Sequence, residues 1–477
     1  MRISTIMLYQ NYKYLNNKKY MLIFIILIIC FIFFYSCGIF DKIISNDLSI
    51  EQSNNIISDV KKKDFAIVSV TTLSSESITN FSRDKMETYI LNLIDVGIDT
   101  IILSETATTP YGNFSNIYYP SIMAESNKRS DFISNKDVVE NLLYTAEKLN
   151  IKVFIGLNNA PEWSIIHASN SIWNSTQSEI AAKMATELTS LYKAKYPNAF
   201  YGWYIPWIMS NSYIVYQPEH SAELLNLYME ALHKVDSTIP VLFSTLLENN
   251  FPATKTAEVF NTILQSVKFS NGDIYCCIDA LGTGTMRIDS LDYYYKKIAE
   301  IIKAKSELSF WTGCETFNYS SGKGTALDCY VNKLKIAKKY SDIIVAYSYT
   351  KYYAPITGAI PSIHFLYKDY YETGNVAKTI APDMPKISTT KINGQNAISV
   401  IINSYQQTYC IDKIELYMND ELIKVFNNTT RLLSFTEYKV SYFLSLDNLK
   451  DGSKIIFKAI AYDIAGNESQ IGIYKYT

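Results

Sequence analysis

Between Asp64 and Gly374 a short apolar run followed by a longer amphipathic stretch recurs eight times. The runs occupy residues 65–70, 100–103, 152–157, 201–205, 241–245, 274–278, 308–311 and 343–347. Helix-patterned segments such as 83–96, 136–149, 179–195 and 291–305 separate them. Strand, helix and strand with short connections require parallel pairing, because each crossover must return over the sheet face. Eight such units predict an α/β protein whose core is a closed (β/α)8 TIM barrel. On that fold chemistry sits at the C-terminal ends of the strands, so every run points to its own candidate residues.

A chain of 477 residues has room for more than one domain, and its 48% hydrophobic content is ample for a core. A net charge of −2 gives no reason to expect a nucleic-acid partner. Lys61, Lys62 and Lys63 read as a solvated linker ahead of the first strand. The four histidines (His167, His220, His233, His364) are scattered and no pair shows metal-ligand spacing, so neither metal nor cofactor is expected. Seven cysteines make no disulfide framework. Cys276 and Cys277 are adjacent and must face opposite sides of a strand. Cys314 and Cys329 read as buried free thiols.

Residues 21–35 are almost wholly apolar and follow Lys18 and Lys19. The apolar core is short for a membrane span and suits a secretory signal. It ends in Phe34-Tyr35-Ser36-Cys37-Gly38, which resembles a bacterial lipobox, with bulkier residues than usual at Phe34 and Tyr35. The resemblance implies lipidation of Cys37 as the first mature residue; an uncleaved anchor helix is the other reading. Either holds the protein at the membrane of a bacterial cell envelope. The expected division is a signal peptide over 1–37, a tether over 38–63, the barrel over 64–381 and a last module over 382–477.

Past Pro382 and Pro385 only short β-rich segments follow, with turn signals at Asn419-Asp420, Asp451-Gly452 and Gly466-Asn467. Their regular spacing predicts a small β-sandwich. The stretch from Ala461 to Ser469 resembles the last hairpin of bacterial immunoglobulin-like or fibronectin-III-like modules.

The residues that follow the barrel runs combine carboxylates with aromatic rings. They include Glu105, Trp163, Trp203, Tyr204, Trp207, Asp279, Trp311, Glu315 and Tyr352. Aromatic faces stack on the apolar faces of pyranose rings, and carboxylates grip hydroxyls or transfer protons. The same rings also pack barrel interiors in proteins that bind no sugar. The connection 107–135, with Tyr111, Phe114, Tyr118 and Tyr119, is long enough for a lid. Gly282-Thr283-Gly284 is too short for a phosphate loop.

At Tyr201-Gly202-Trp203-Tyr204-Ile205-Pro206, at Trp311 with Glu315 and Phe317, and at residues 347–355, the barrel resembles the domain of unknown function 4434 family, bacterial TIM barrels similar to glycoside hydrolases. The resemblance covers about residues 64–374. It implies that Glu315 stands where the retaining-glycosidase clan carries its nucleophile, with Asp279 assisting. The mouth residues themselves offer Trp163, Trp203, Tyr204, Trp207, Trp311, Tyr352 and Glu105 as carbohydrate contacts, with Trp311, four residues before Glu315 on one strand face, expected deeper and capping the barrel interior beneath the pocket. One position departs: where the family pattern places a glutamate after strand four, this chain has Ile208. An alkyl group neither protonates a leaving group nor activates water. Either Glu105, Glu162 or Glu248 has taken over the acid/base role, or the barrel binds a glycan or another envelope ligand without cleaving it. Glu315 is expected on the floor of a cleft lined by Trp203 or Trp207, Asp279 and Tyr352, its anion held by Tyr204 or Tyr352.

Overall fold

The computed structural model describes residues 63–126, 137–305, 307–318, 323–354, 361–376, 381–402, 411–428, 438–444, 454–464 and 466–476. The leader, Cys37 and nearly all of the tether lie outside them.

Eight parallel strands form one sheet: β1 (Val70–Leu73), β2 (Thr100–Leu103), β3 (Lys152–Gly156), β4 (Phe200–Tyr204), β5 (Val241–Leu246), β6 (Asp273–Ile278), β7 (Leu308–Glu315) and β8 (Ile344–Tyr347). They run in the order β4-β3-β2-β1-β8-β7-β6-β5, and β4 pairs again with β5 at Trp203–Val241 and Tyr204–Leu242. The sheet therefore closes into the expected (β/α)8 barrel. Each strand is followed by its helix: α1 (Arg83–Ile94), α2 (Val138–Lys148), α3 (Ser171–Leu188), α4 (Pro218–Val235), α5 (Ala253–Ser266), α6 (Ile288–Ile302), α7 (Leu327–Lys338) and α8 (Pro361–Thr373).

Local chemistry explains the helix starts. Ser82, Asp137 and Asn170 accept backbone N–H bonds from Lys85, Glu140 and Trp173, capping α1, α2 and α3. Pro218 opens α4, where its missing N–H costs nothing. On α6, Leu291, Tyr294, Tyr295, Ile298 and Ile302 recur at helical spacing and form the buried face.

Strand side chains divide between two layers. Val70, Ile102, Phe154, Tyr204, Leu242, Ile274, Cys276, Ile278 and Val345 fill the barrel interior. Tyr275, Cys277 and Cys314 instead join the larger core under the helices. The adjacent cysteines thus face opposite sides. Cys276, Cys277, Cys314 and Cys329 are all unbridged; Cys329 is exposed, not buried as expected.

Two strand limits differ from the sequence expectation. Pairing in β1 begins at Val70, where the apolar run ends. The run itself packs on α8 instead: Phe65 meets Tyr370 edge-on at 5.5 Å, and the Val68 N–H donates to the Tyr367 hydroxyl. β7 continues beyond its apolar run through Thr312, Gly313 and Cys314 to Glu315, all of them buried. Small and polar residues lie deep there because both sheet faces are covered.

Beyond the barrel, β9 (Lys386–Ile392), β10 (Gln395–Ile402) and β13 (Tyr438–Phe443) make one antiparallel sheet. β11 (Ile411–Met418), β12 (Glu421–Asn427), β14 (Ile455–Asp463) and β15 (Gly472–Tyr476) make a second, in the order β12-β11-β14-β15. Ile398, Val400, Ile414, Leu416, Phe457 and Ala459 lie in a core of their own, as a β-sandwich requires. The sandwich also reaches the barrel. Ile464 is buried in the barrel core, and its carbonyl accepts the N–H of Leu327 at the start of α7 (3.1 Å). Among the described residues no helix is long and apolar enough to cross a membrane.

Candidate active site

At the C-terminal end of the barrel a cleft of about 480 Å³ opens, lined from the ends of all eight strands. It continues past Thr72, Ser104, Phe317 and Tyr347 into a second cavity of about 560 Å³ that reaches Lys351 and Tyr352.

Glu315, the last residue of β7, points into this cleft and is 1% exposed. Its Oε2 accepts the backbone N–H of Thr283 at 2.9 Å, and the N–H of Gly282 also favours the anion. Gly282 has to be glycine. A Cβ there would stand 2.3 Å from the Phe317 carbonyl oxygen and 2.9 Å from both Cβ and Oε2 of Glu315. The anion is therefore held by a backbone loop, not by Tyr204 or Tyr352 as expected. Burial first, then the neighbouring Asp279, pushes the Glu315 carboxyl up to about 7, against the pull of these N–H groups and of Lys333.

Asp279 does not line the cleft; this corrects the expectation. It is wholly buried on the outer side of β6. Its Oδ1 accepts the N–H of Leu281 (3.1 Å) and of Glu315 (3.3 Å), and its Oδ2 lies 3.9 Å from Lys333 Nζ. Burial raises its pKa and Lys333 opposes the rise. Lys333, on the buried face of α7, donates to the Glu315 carbonyl at 2.8 Å. Asp279 and Lys333 together fix the backbone that carries Glu315. Strand alternation is the reason: Ile278 takes the inward position, so the next side chain turns outward.

Two tryptophans are also placed elsewhere, and Trp311 lies deep in the barrel as expected. Trp203 is fully buried under the helices beside Phe200 (5.2 Å). Trp207 is fully buried against Trp163 (5.4 Å) and Trp173 (5.0 Å). Trp311 packs in the barrel interior, edge-on to Phe154 at 5.6 Å, outside the cleft. Phe154 has room there because a Cβ on Gly202 would sit 2.2 Å from its ring. The aromatic wall is formed instead by Trp163, Tyr204, Phe317 and Tyr347, with Tyr352 stacked on Phe317 at 5.1 Å.

Of the three replacement carboxylates considered, only Glu105 lines the cleft. Its Oε1 accepts from Ser74 Oγ at 3.1 Å, and its backbone carbonyl from Ser75 Oγ. Burial, resisted by Ser74 and Ser75, raises its carboxyl to about 7. Glu162 is buried and ties the connecting segments together, accepting from the Tyr111 N–H (2.6 Å) and Trp173 Nε1 (2.9 Å). Glu248 accepts from the hydroxyls of Ser210 and Ser212. Ile208 lines the cleft as an alkyl group, and its carbonyl accepts from Trp163 Nε1 at 3.2 Å. In the long connection after β2, Tyr118 and Tyr119 are buried, and Tyr119 donates to Glu187 of α3 (2.9 Å). Among the described residues no three His, Cys, Asp or Glu side chains gather as a metal site.

The closed barrel, with a buried, loop-held glutamate at the end of β7, defines the class: a (β/α)8 TIM barrel. The model of a Domain of unknown function (DUF4434) matches residues 68–358, and the chain belongs to that family. Among solved structures, a protein provisionally described as an alpha-L-fucosidase from Bacteroides thetaiotaomicron shares the fold. Its TM-score is 0.54 at 19% identity, covering 66% of this chain and 96% of that one. A beta-glucuronidase from Bacteroides uniformis gives 0.39 at 10% identity (87% and 46% covered). An intracellular xylanase from Thermoanaerobacterium saccharolyticum gives 0.35 at 13% (60% and 85%). No curated protein matches this chain.

Proposed function

We propose that this chain is a carbohydrate-processing barrel held at the bacterial cell envelope, with Glu315 as the carboxylate that acts on the anomeric carbon. The observation that carries the reading is Glu315 itself, buried on the cleft floor with Thr283 N–H at 2.9 Å on its Oε2. A carboxylate held by backbone N–H groups is fixed in orientation toward the cleft, as a nucleophile must be. The rings of Trp163, Phe317, Tyr347 and Tyr352 give sugar faces a stacking surface. The export segment and Cys37 support placement outside the cytoplasm, tethered by lipid.

A second reading, glycan binding without cleavage, is favoured by Ile208 alone. The two part on one experiment: a broad panel of natural and aryl glycosides offered to the wild type and to Glu315→Gln. Hydrolysis by the wild type, reduced on the order of 10³-fold or more in the variant, is expected. Binding of a glycan with no turnover in either would select the second reading.

A further inference from the structure

We infer that Glu105, at the end of β2, is the proton-transferring partner of Glu315, so that the site works across the β2–β7 chord of the barrel, leaving β4 without that role. This rests on the hydrolytic reading of Glu315. The sheet order carries the geometry. Counting from β7, the strands on one side are β8, β1 and β2, and on the other β6, β5 and β4. Both β2 and β4 are therefore three strands away around a closed ring. A carboxyl group carried past the end of either strand therefore approaches Glu315 from one side of the barrel mouth or the other. The β4 flank is closed to proton transfer by Ile208. On the β2 flank Glu105 opens into the same cleft, its Oε1 at 3.1 Å from Ser74 Oγ.

Glu105 and Glu315 are the carboxylates that line this cleft, Glu76 lying in the adjoining cavity. Glu162 and Glu248 do not line it, Glu162 holding the Tyr111 N–H and Trp173 Nε1 and Glu248 the hydroxyls of Ser210 and Ser212, and Asp279 is sealed behind β6. Tyr347 lies in the field of both glutamates: burial raises its hydroxyl, followed by Glu315 and then Glu105. The carboxyl of Glu105 is raised to about 7, so it carries a proton in neutral solution part of the time, as a general acid must.

The reaction balances with no other co-reactant than water. Glu315 Oε bonds to the anomeric carbon as the glycosidic C–O bond breaks. The leaving oxygen takes the bonding pair and the proton of Glu105. Water then gives a proton to the Glu105 carboxylate while its oxygen bonds to the anomeric carbon and releases Glu315. The double displacement retains configuration.

The test compares the wild type, Glu105→Gln and Glu105→Ala, each checked for cooperative thermal unfolding, on glycosides of one sugar with graded leaving groups. With Glu105 as the acid, both variants lose on the order of 10²-fold or more on poor leaving groups and far less on dinitrophenyl glycosides. The alkaline limb of the kcat/KM profile disappears, and azide restores turnover of Glu105→Ala by forming a glycosyl azide of retained configuration. Equal losses across all leaving groups, or an unchanged alkaline limb, would overturn the role of Glu105 and leave Glu315 standing. No turnover by the wild type on any substrate would overturn both.

Discussion

Glu105 and Glu315 are two glutamates on one cleft, each with its carboxyl raised to about 7 from the ordinary 4.5. In both the leading cause is burial, which disfavours the charged form. The consequence for stability has a definite sign. Between the unfolded and folded pKa values the folded state binds more protons than the unfolded chain, so stability falls as pH rises. The contribution is whole below about pH 4.5 and lost as pH passes through about 7. Replacing Glu105 by neutral Gln removes the charging step. Urea unfolding of Glu105→Gln at pH 8 should show a gain on the order of 2 kcal/mol over the wild type, and almost none at pH 4.5. An equal difference at both pH values would mean that Glu105 ionises as an exposed carboxylate does. Catalysis requires one of the pair protonated and the other ionised.

Among the elements, the loop after β6 matters most. Gly282-Thr283-Gly284 was legible only as too short for a phosphate loop, because its two backbone donors to Glu315 are invisible in side-chain chemistry. In Gly282→Ala the new Cβ would meet the Phe317 carbonyl at 2.3 Å and Glu315 Oε2 at 2.9 Å, so loop or strand end must shift. A displacement of this kind is expected to lower kcat on the order of 10²-fold at a stability cost of roughly 1–3 kcal/mol. Wild-type kinetics in that variant would show that the loop does not position the carboxylate. The same limit explains what else the sequence concealed. Apolar runs located seven of the eight barrel strands, but the first, 65–70, meets β1 only at Val70, because Phe65 packing on α8 reads in sequence like a paired strand. Trp203 and Trp207 looked like site residues because they flank a strand end; alternation and helix cover bury them. Lys333 did leave a signal, a lysine between Tyr330, Val331 and Leu334 on the buried face of α7. Its partner, the Glu315 carbonyl, is tertiary and has no pattern in sequence.

For the molecule as a whole, the proposal places the chemistry in the barrel and the anchor at Cys37. The sandwich has its own core, yet Ile464 is buried in the barrel core and caps α7, the helix that carries Lys333. At the other end, the apolar leader running into Cys37 underlies the proposed lipid anchor. Cys37→Ser should abolish incorporation of a labelled fatty acid and release the processed protein from membranes in a bacterial host. Membrane retention with an intact leader and no label on the wild type would establish the anchor-helix reading. The central claim is that Glu315 attacks a sugar, and covalent trapping addresses it without needing any acid. Fluoride leaves unaided from 2-deoxy-2-fluoroglycosyl fluorides, while the 2-fluoro group slows hydrolysis of the glycosyl-enzyme. A panel of these reagents, read by intact mass and peptide mapping, should add one fluorosugar to Glu315 in the wild type and none in Glu315→Gln. A label on another carboxylate, or no label from sugars shown to bind the cleft, would contradict the account.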